Sequence, residues 1–248
     1  MPVITVGGKM SGLTLRGYLE ESRELFTGMI LVLPLFIMYQ IGVLLTGGVR
    51  NGVDFVSDLL WALANGSLLN YLGINVAILI GFIAAIFVLR KNGEFKPKLW
   101  FPIVAESTVY ALLLGSVVLG MMSSLGLDAL LSTGPKDYGI FTSFVLSIGA
   151  GLYEEIVFRL ILMGGMFWAL DKTPGVPTFA AAAVAVIASS LIFSGIHYVG
   201  ALGDPFSLGS FTFRFFAGII LAVIFYVRGF AVAVYTHAIY DIIVMVFN

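Results

Sequence analysis

The sequence predicts an all-α fold, a polytopic transmembrane bundle of about seven (six to eight) spans. Apolar residues make up 60% of the 248 and charged residues only 11%, against about 25% charged in a soluble domain. Mean hydropathy is +1.05. Apolar runs of roughly 20 residues, enough to cross the hydrocarbon core, recur along the whole length. The alternating segments of about ten residues that build a transmembrane barrel are not seen.

The spans fall near 26–47, 70–89, 100–125, 140–170, 178–200, 207–227 and 229–247. Helix-breaking clusters punctuate them: Gly47-Gly48, Lys91-Asn92-Gly93, Gly134-Pro135, Thr173-Pro174-Gly175 and Gly203-Asp204-Pro205. Between the first two spans, 54–66 mixes Asp54 and Asp58 with Phe55, Leu59, Leu60 and Trp61. That mixture suits a short interfacial helix or a re-entrant eighth element. Met1 to Glu24 is polar and mixed in charge, and the long apolar run that follows lacks a clear small-residue cleavage site. It reads as a cytoplasmic segment, 1–25, rather than a cleaved signal peptide. With no internal repeat or low-complexity linker, 26–248 forms one transmembrane domain.

Lys and Arg set the expected orientation, because they are retained on the cytoplasmic side. With the N-terminus inside, the inner segments hold Lys9, Arg16, Arg23, Arg90, Lys91, Lys96, Lys98, Lys172 and Arg228. The outer segments hold only Arg50 and Lys136. This favours a multi-pass protein of the plasma (cell) membrane with a cytoplasmic N-terminus and, for seven spans, an outer C-terminus. A net charge of −1 gives no electrostatic case for nucleic acid, so the surrounding partner is membrane lipid. The absence of cysteine excludes disulfide and thiolate chemistry.

Ionisable residues inside apolar segments mark functional sites by default, because burying them costs several kcal/mol. Three clusters stand out: Glu154-Glu155-x-x-x-Arg159, Phe193-x-x-x-His197 and His237-x-x-x-Asp241, which contain both histidines of the chain. On a helix Glu154 and Glu155 point about 100° apart, while Glu155 and Arg159, at i and i+4, can pair. Glu155 and Arg159 would then brace the helix and leave Glu154 to act. A carboxylate taken out of water is harder to ionise, which brings it toward the range useful to a general base. A buried ion-pair network locking two helices is the plain structural alternative.

His197 follows a small polar patch, Ser189-Ser190 and Ser194-Gly195, that would let another helix approach closely. The alternative for an isolated histidine is a ring satisfied by a carbonyl. His237 and Asp241 share a helix face, so Asp241 could orient the ring or share its charge; a simple interhelical pair is the alternative. Tyr235, Thr236 and Tyr240 would line a wet cavity. At 1.5 Å per residue, Glu154 and His197 lie roughly 25 and 30 Å from the 171–177 turn, so they can meet. His237 lies only about 13 Å from the Arg228-Gly229 turn, which requires a tilted helix or a turn set deep in the membrane. Glu106 and Arg214 are expected to pair with each other or to line the cavity, without a catalytic role.

Glu154-Glu155-Ile-Val-Phe-Arg159, Phe193-Ser-Gly-Ile-His197 and His237-Ala-Ile-Tyr-Asp241 together resemble the three motifs of the CPBP (Abi) family. That family includes CAAX prenyl endopeptidases and bacteriocin-processing proteins. The likeness covers about 140–245; the earlier part of the chain matches only in being helical spans. The resemblance implies a glutamate-dependent intramembrane endopeptidase, needing no metal or other cofactor. Glu154 would match the glutamate that, with His197, activates a water. His237 and position 241 would match the pair that stabilises the oxyanion. The prenyl endopeptidases carry Asn where this chain has Asp241. An ionised Asp241 would repel an oxyanion, so it serves either protonated or by holding His237 cationic. The implied partner is a membrane-associated peptide or protein, prenylated or otherwise lipidated, with no residue singled out to bind it.

Two rival classes have their own discriminators. Glu154, His197 and His237 are suitable ligand types for a zinc hydrolase with an open fourth position, which a chelator would inactivate and zinc restore. A non-enzymatic scaffold or transporter would keep its activity in Glu154→Ala.

Overall fold

α10 (Phe230–Phe247) is the axis of the molecule. Its first half, Phe230 through Ala238, is buried without interruption, and α2, α5, α6 and α9 pack around it. The computed structural model describes residues 14–46, 55–90, 96–127, 139–199 and 203–247, which contain helices and no strand. In chain order the helices before α10 are α1 (Leu15–Glu21), α2 (Leu25–Leu45), α3 (Phe55–Leu63), α4 (Leu68–Leu89), α5 (Trp100–Ser124) and α6 (Ile140–Glu154). A π-helical stretch follows (Glu155–Met163), then α7 (Gly164–Asp171), α8 (Thr178–Ile196) and α9 (Leu208–Arg228). The turns expected at Gly47-Gly48, Lys91-Asn92-Gly93 and Gly134-Pro135 lie outside the described residues.

Among the described residues six helices are long and apolar enough to cross a membrane: α2, α4, the Pro97–Ser124 helix, α8, α9 and α10. Their bounds fall within a few residues of the expected spans. The seventh run, 140–171, is helical throughout but changes from α to π at Glu155 and back at Gly164. Fully apolar helices satisfy their backbone polar groups internally, the condition for living in lipid. Start signals are local: Thr14, Ser67 and Ser207 cap α1, α4 and α9 by accepting from amides three residues on. α9 stops at Gly229, whose φ of +95° suits only glycine. Within 54–66 the chain forms the short helix α3, too short to span.

Close approach between helices depends on two glycines of α6. A Cβ on Gly151 would meet the backbone nitrogen of Ala238 at 2.5 Å, and one on Gly149 would meet the Tyr39 ring at 2.2 Å. Small residues bring helix backbones together where lipid supplies no hydrophobic drive. The α2–α4–α6 contact adds polar glue. Gln40 donates to Asn75 Oδ1 and to the Tyr153 hydroxyl, both at 3.0 Å, and Tyr153 also bonds Asn75.

The charged residues outside the three motifs pair differently from expectation. Glu106 is held by Arg228, at 2.6 Å from Nε and 2.9 Å from Nη2, and also accepts from Tyr110 and Tyr18. Burial first, then the Glu106 carboxylate, pushes the Tyr18 hydroxyl well above the ordinary tyrosine range. Arg228 also reaches Ser22 Oγ and the Leu19 carbonyl. Arg214 instead pairs with Asp204 at 2.7 Å. Glu106 and Arg214 sit on different helices near opposite turns, which single-sequence spacing does not reveal. The same network explains the short count from Gly229 to His237. A Cβ on Gly229 would lie 2.8 Å from Cα of Arg23, so the α9–α10 turn is tucked under the α1–α2 corner.

Candidate active site

The three motifs come together where α6 becomes the π-helix. Glu154 is the last residue of α6 and Glu155 the first of the π-helix. A π segment widens the helix, and such segments concentrate at functional sites. Glu154, Glu155, Arg159, His197 and His237 are all buried, none more than 5% exposed. Asp241 is half-buried at the edge.

Glu154 lies between the two imidazoles. Its Oε1 is 3.7 Å from His197 Nε2 and its Oε2 is 3.6 Å from His237 Nε2. These gaps exceed a hydrogen bond, yet one water oxygen could touch the carboxylate and a ring nitrogen together. His197 follows the last residue of α8, and its Nδ1 lies 2.7 Å from the carbonyl of Phe193. A carbonyl only accepts, so Nδ1 carries a proton, and Nε2 is the ring nitrogen turned toward Glu154.

His237 is oriented from the other side. Its Nδ1 lies 2.8 Å from Glu155 Oε1, while Nε2 faces Glu154 and, at 3.5 Å, Asp241 Oδ2. Glu155 thus has a second task beyond the expected brace. Its Oε2 sits 3.3 Å from Arg159 Nε, and its other oxygen orients the His237 ring through Nδ1. Arg159 also reaches the Gly218 carbonyl at 3.4 Å. Neither interhelical link can be read from i, i+4 spacing.

Phe193 is the residue whose role the sequence left blank. Its ring makes edge contacts with Phe158, His197 and His237 at centroid distances of 5.3, 5.0 and 6.1 Å. The Arg159 guanidinium lies over its face at 4.4 Å. It packs both imidazoles against the brace. The serine patch behaves as expected: α9 approaches α8 where a Cβ on Gly218 would meet Ser190 and Phe193 at 3.1–3.2 Å. The expected wet wall does not form as a unit. Tyr235 turns away to the Leu31 carbonyl and Trp100, Thr236 is buried, and Tyr240 packs beside Gly115. Tyr235 and Thr236 are adjacent on the helix and point about 100° apart. Among the described residues no group of three or more His, Asp or Glu side chains is arranged to hold a metal ion.

A multi-pass helical bundle that buries two acids against two imidazoles is an integral membrane protein equipped for acid–base chemistry. Residues 136–243 match the family model described as Type II CAAX prenyl endopeptidase Rce1-like. That stretch, which holds all three motifs, is similar to the CAAX proteases and indicates a membrane protease, a peptide hydrolase. No curated protein and no solved structure matches the chain.

Proposed function

We propose that the protein is a glutamate-dependent intramembrane endopeptidase in which Glu154 and His197 activate water. The observation that carries this reading is the convergence of the Glu154 carboxylate on both Nε2 atoms within a buried cluster. Water held between Glu154 and His197 gives up a proton to that pair as its oxygen attacks the scissile carbonyl. The negative charge moves to the carbonyl oxygen, where a protonated His237 Nε2 supplies a preorganised donor. Collapse returns the proton to the departing amine. Asp241, beside the same nitrogen, keeps His237 protonated; Glu155 holds the ring's other nitrogen.

The substrate is a membrane-associated peptide or protein, and the family description makes a prenylated C-terminus the first to try. The reading includes a cytoplasmic N-terminus in the cell membrane, supported by the distribution of Lys and Arg. The test compares peptide termini in membrane and secreted fractions of cells carrying wild type or Glu154→Gln. A discrete set of termini lost in the variant at equal protein level is expected. Identical termini in both would overturn the proposal.

A further inference from the structure

Beside the buried site lies a second ionic cluster that the reaction scheme does not use. Arg214, on the second turn of α9, places Nη2 2.7 Å from Asp204 Oδ2 and Nη1 2.9 Å from Ser210 Oγ and 3.2 Å from the Tyr198 hydroxyl. Tyr198 donates to Ser210 Oγ at 2.9 Å, and the guanidinium also lies 5.4 Å from the Tyr198 ring centroid. Every arm of this cluster leads back to His197. Tyr198 is its chain neighbour, and the Asp204 amide donates to the His197 carbonyl at 2.9 Å. Ser194, one turn earlier on α8, is tied to α9 through the Phe211 carbonyl at 2.6 Å.

The need for such a device follows from the end of α8. His197 sits just past Ile196, where the helical hydrogen-bond ladder has run out and the last turn frays most easily. Its ring is fixed by one bond to its own helix, Nδ1 to the Phe193 carbonyl. Within the cluster, Glu154 touches it only at 3.7 Å. Arg214 and Asp204 are each 22% exposed, so they form a partly exposed rim beside the buried site.

Resting on the proposed Glu154–His197 pair, we infer that the Arg214–Asp204 ion pair is a latch that, through Tyr198 and the Asp204 amide, holds the end of α8 and thereby keeps His197 facing Glu154. Arg214 and Asp204 are positioning residues. They act through His197 and touch neither the water nor the scissile bond. A latch at the rim, rather than a buried brace, can open without dismantling the bundle.

The test uses the full chain in lipid nanodiscs with Asp204→Asn, Arg214→Gln and the charge swap Asp204→Arg/Arg214→Asp. Because the chain has two histidines, labelling with diethylpyrocarbonate and mass spectrometry reads each ring separately. His197 should label several-fold faster in the single variants while His237 stays protected. Turnover should fall roughly ten- to a hundredfold, the scale set by an ångström of misplacement, with KM little changed. The charge swap should restore both readouts. Unchanged labelling, equal gain at both rings, or failure of the swap would overturn the latch. A raised KM with intact turnover would do the same and make Arg214 a contact for a substrate anion. Glu154→Gln is run alongside. Full activity there would end the protease-site reading, while the labelling arm still decides the latch.

Discussion

Glu154 and Glu155 are adjacent in sequence, equally buried, and set to different work by what faces them. Glu154 meets two Nε2 atoms at 3.6–3.7 Å, while Glu155 is bonded to His237 and lies against Arg159. The two therefore separate by experiment. Glu154→Gln is expected to lose turnover by a thousandfold or more, on the order of a catalytic base, with its melting temperature in detergent nearly unchanged. Glu155→Gln leaves Arg159 buried without its anion and should cost about 3–5 kcal/mol, seen as a clear drop in melting temperature. Equal destabilisation by both would make Glu154 a second brace. Asp241 carries its own test. If it holds His237 protonated by charge, Asp241→Asn should lower turnover roughly tenfold, and Asp241→Ala should lower it no less. A gain in turnover for Asn would identify position 241 as an oxyanion donor instead.

At the scale of elements, the site depends on how closely α6 and α10 lie. Gly151 stands one turn before the acids, and its contact, Ala238, is the neighbour of His237. Gly151→Ala forces backbone against backbone at the level of the reacting groups and should cost about 1–3 kcal/mol, as overpacking does. Turnover should fall at least tenfold with every polar group intact, whereas Gly165→Ala, which meets nothing within 4 Å, should behave as wild type. Equal activity in the two variants would remove Gly151 from the argument. The elements themselves were legible: apolar runs and Gly/Pro breaks placed the spans to within a few residues, and i, i+4 spacing found Glu155–Arg159 and His237–Asp241. Interhelical partners were not. Glu155 with His237, Glu106 with Arg228 and Arg214 with Asp204 depend on relative rotation and depth, which periodicity along one strand of sequence does not encode. The change to π-helix at Glu155 left no sequence mark either, since its residues are ordinary helix formers.

For the whole molecule, the two ends of the bundle differ in kind. One is tied by Arg228, Glu106, Tyr18 and Ser22, which pin α1 beneath the α9–α10 turn. The other carries the Arg214–Asp204 rim next to the site. The cysteine-free chain allows the proposed orientation to be read directly. A single cysteine at Thr173 should react with an impermeant maleimide only after the cells are opened, and one at Ser207 should react on intact cells. The reverse pattern would invert the protein in the membrane.

The chain's economy in histidine has a spectroscopic consequence. Both rings lie against Glu154, so protein grown with 15N-histidine contains no imidazole resonance from anywhere else. The carbonyl of Phe193 and the carboxylate of Glu155 each accept a hydrogen bond from an Nδ1. Four nitrogen signals, two of them from the Nε2 atoms that flank Glu154, would therefore report the protonation of both rings without a background to subtract.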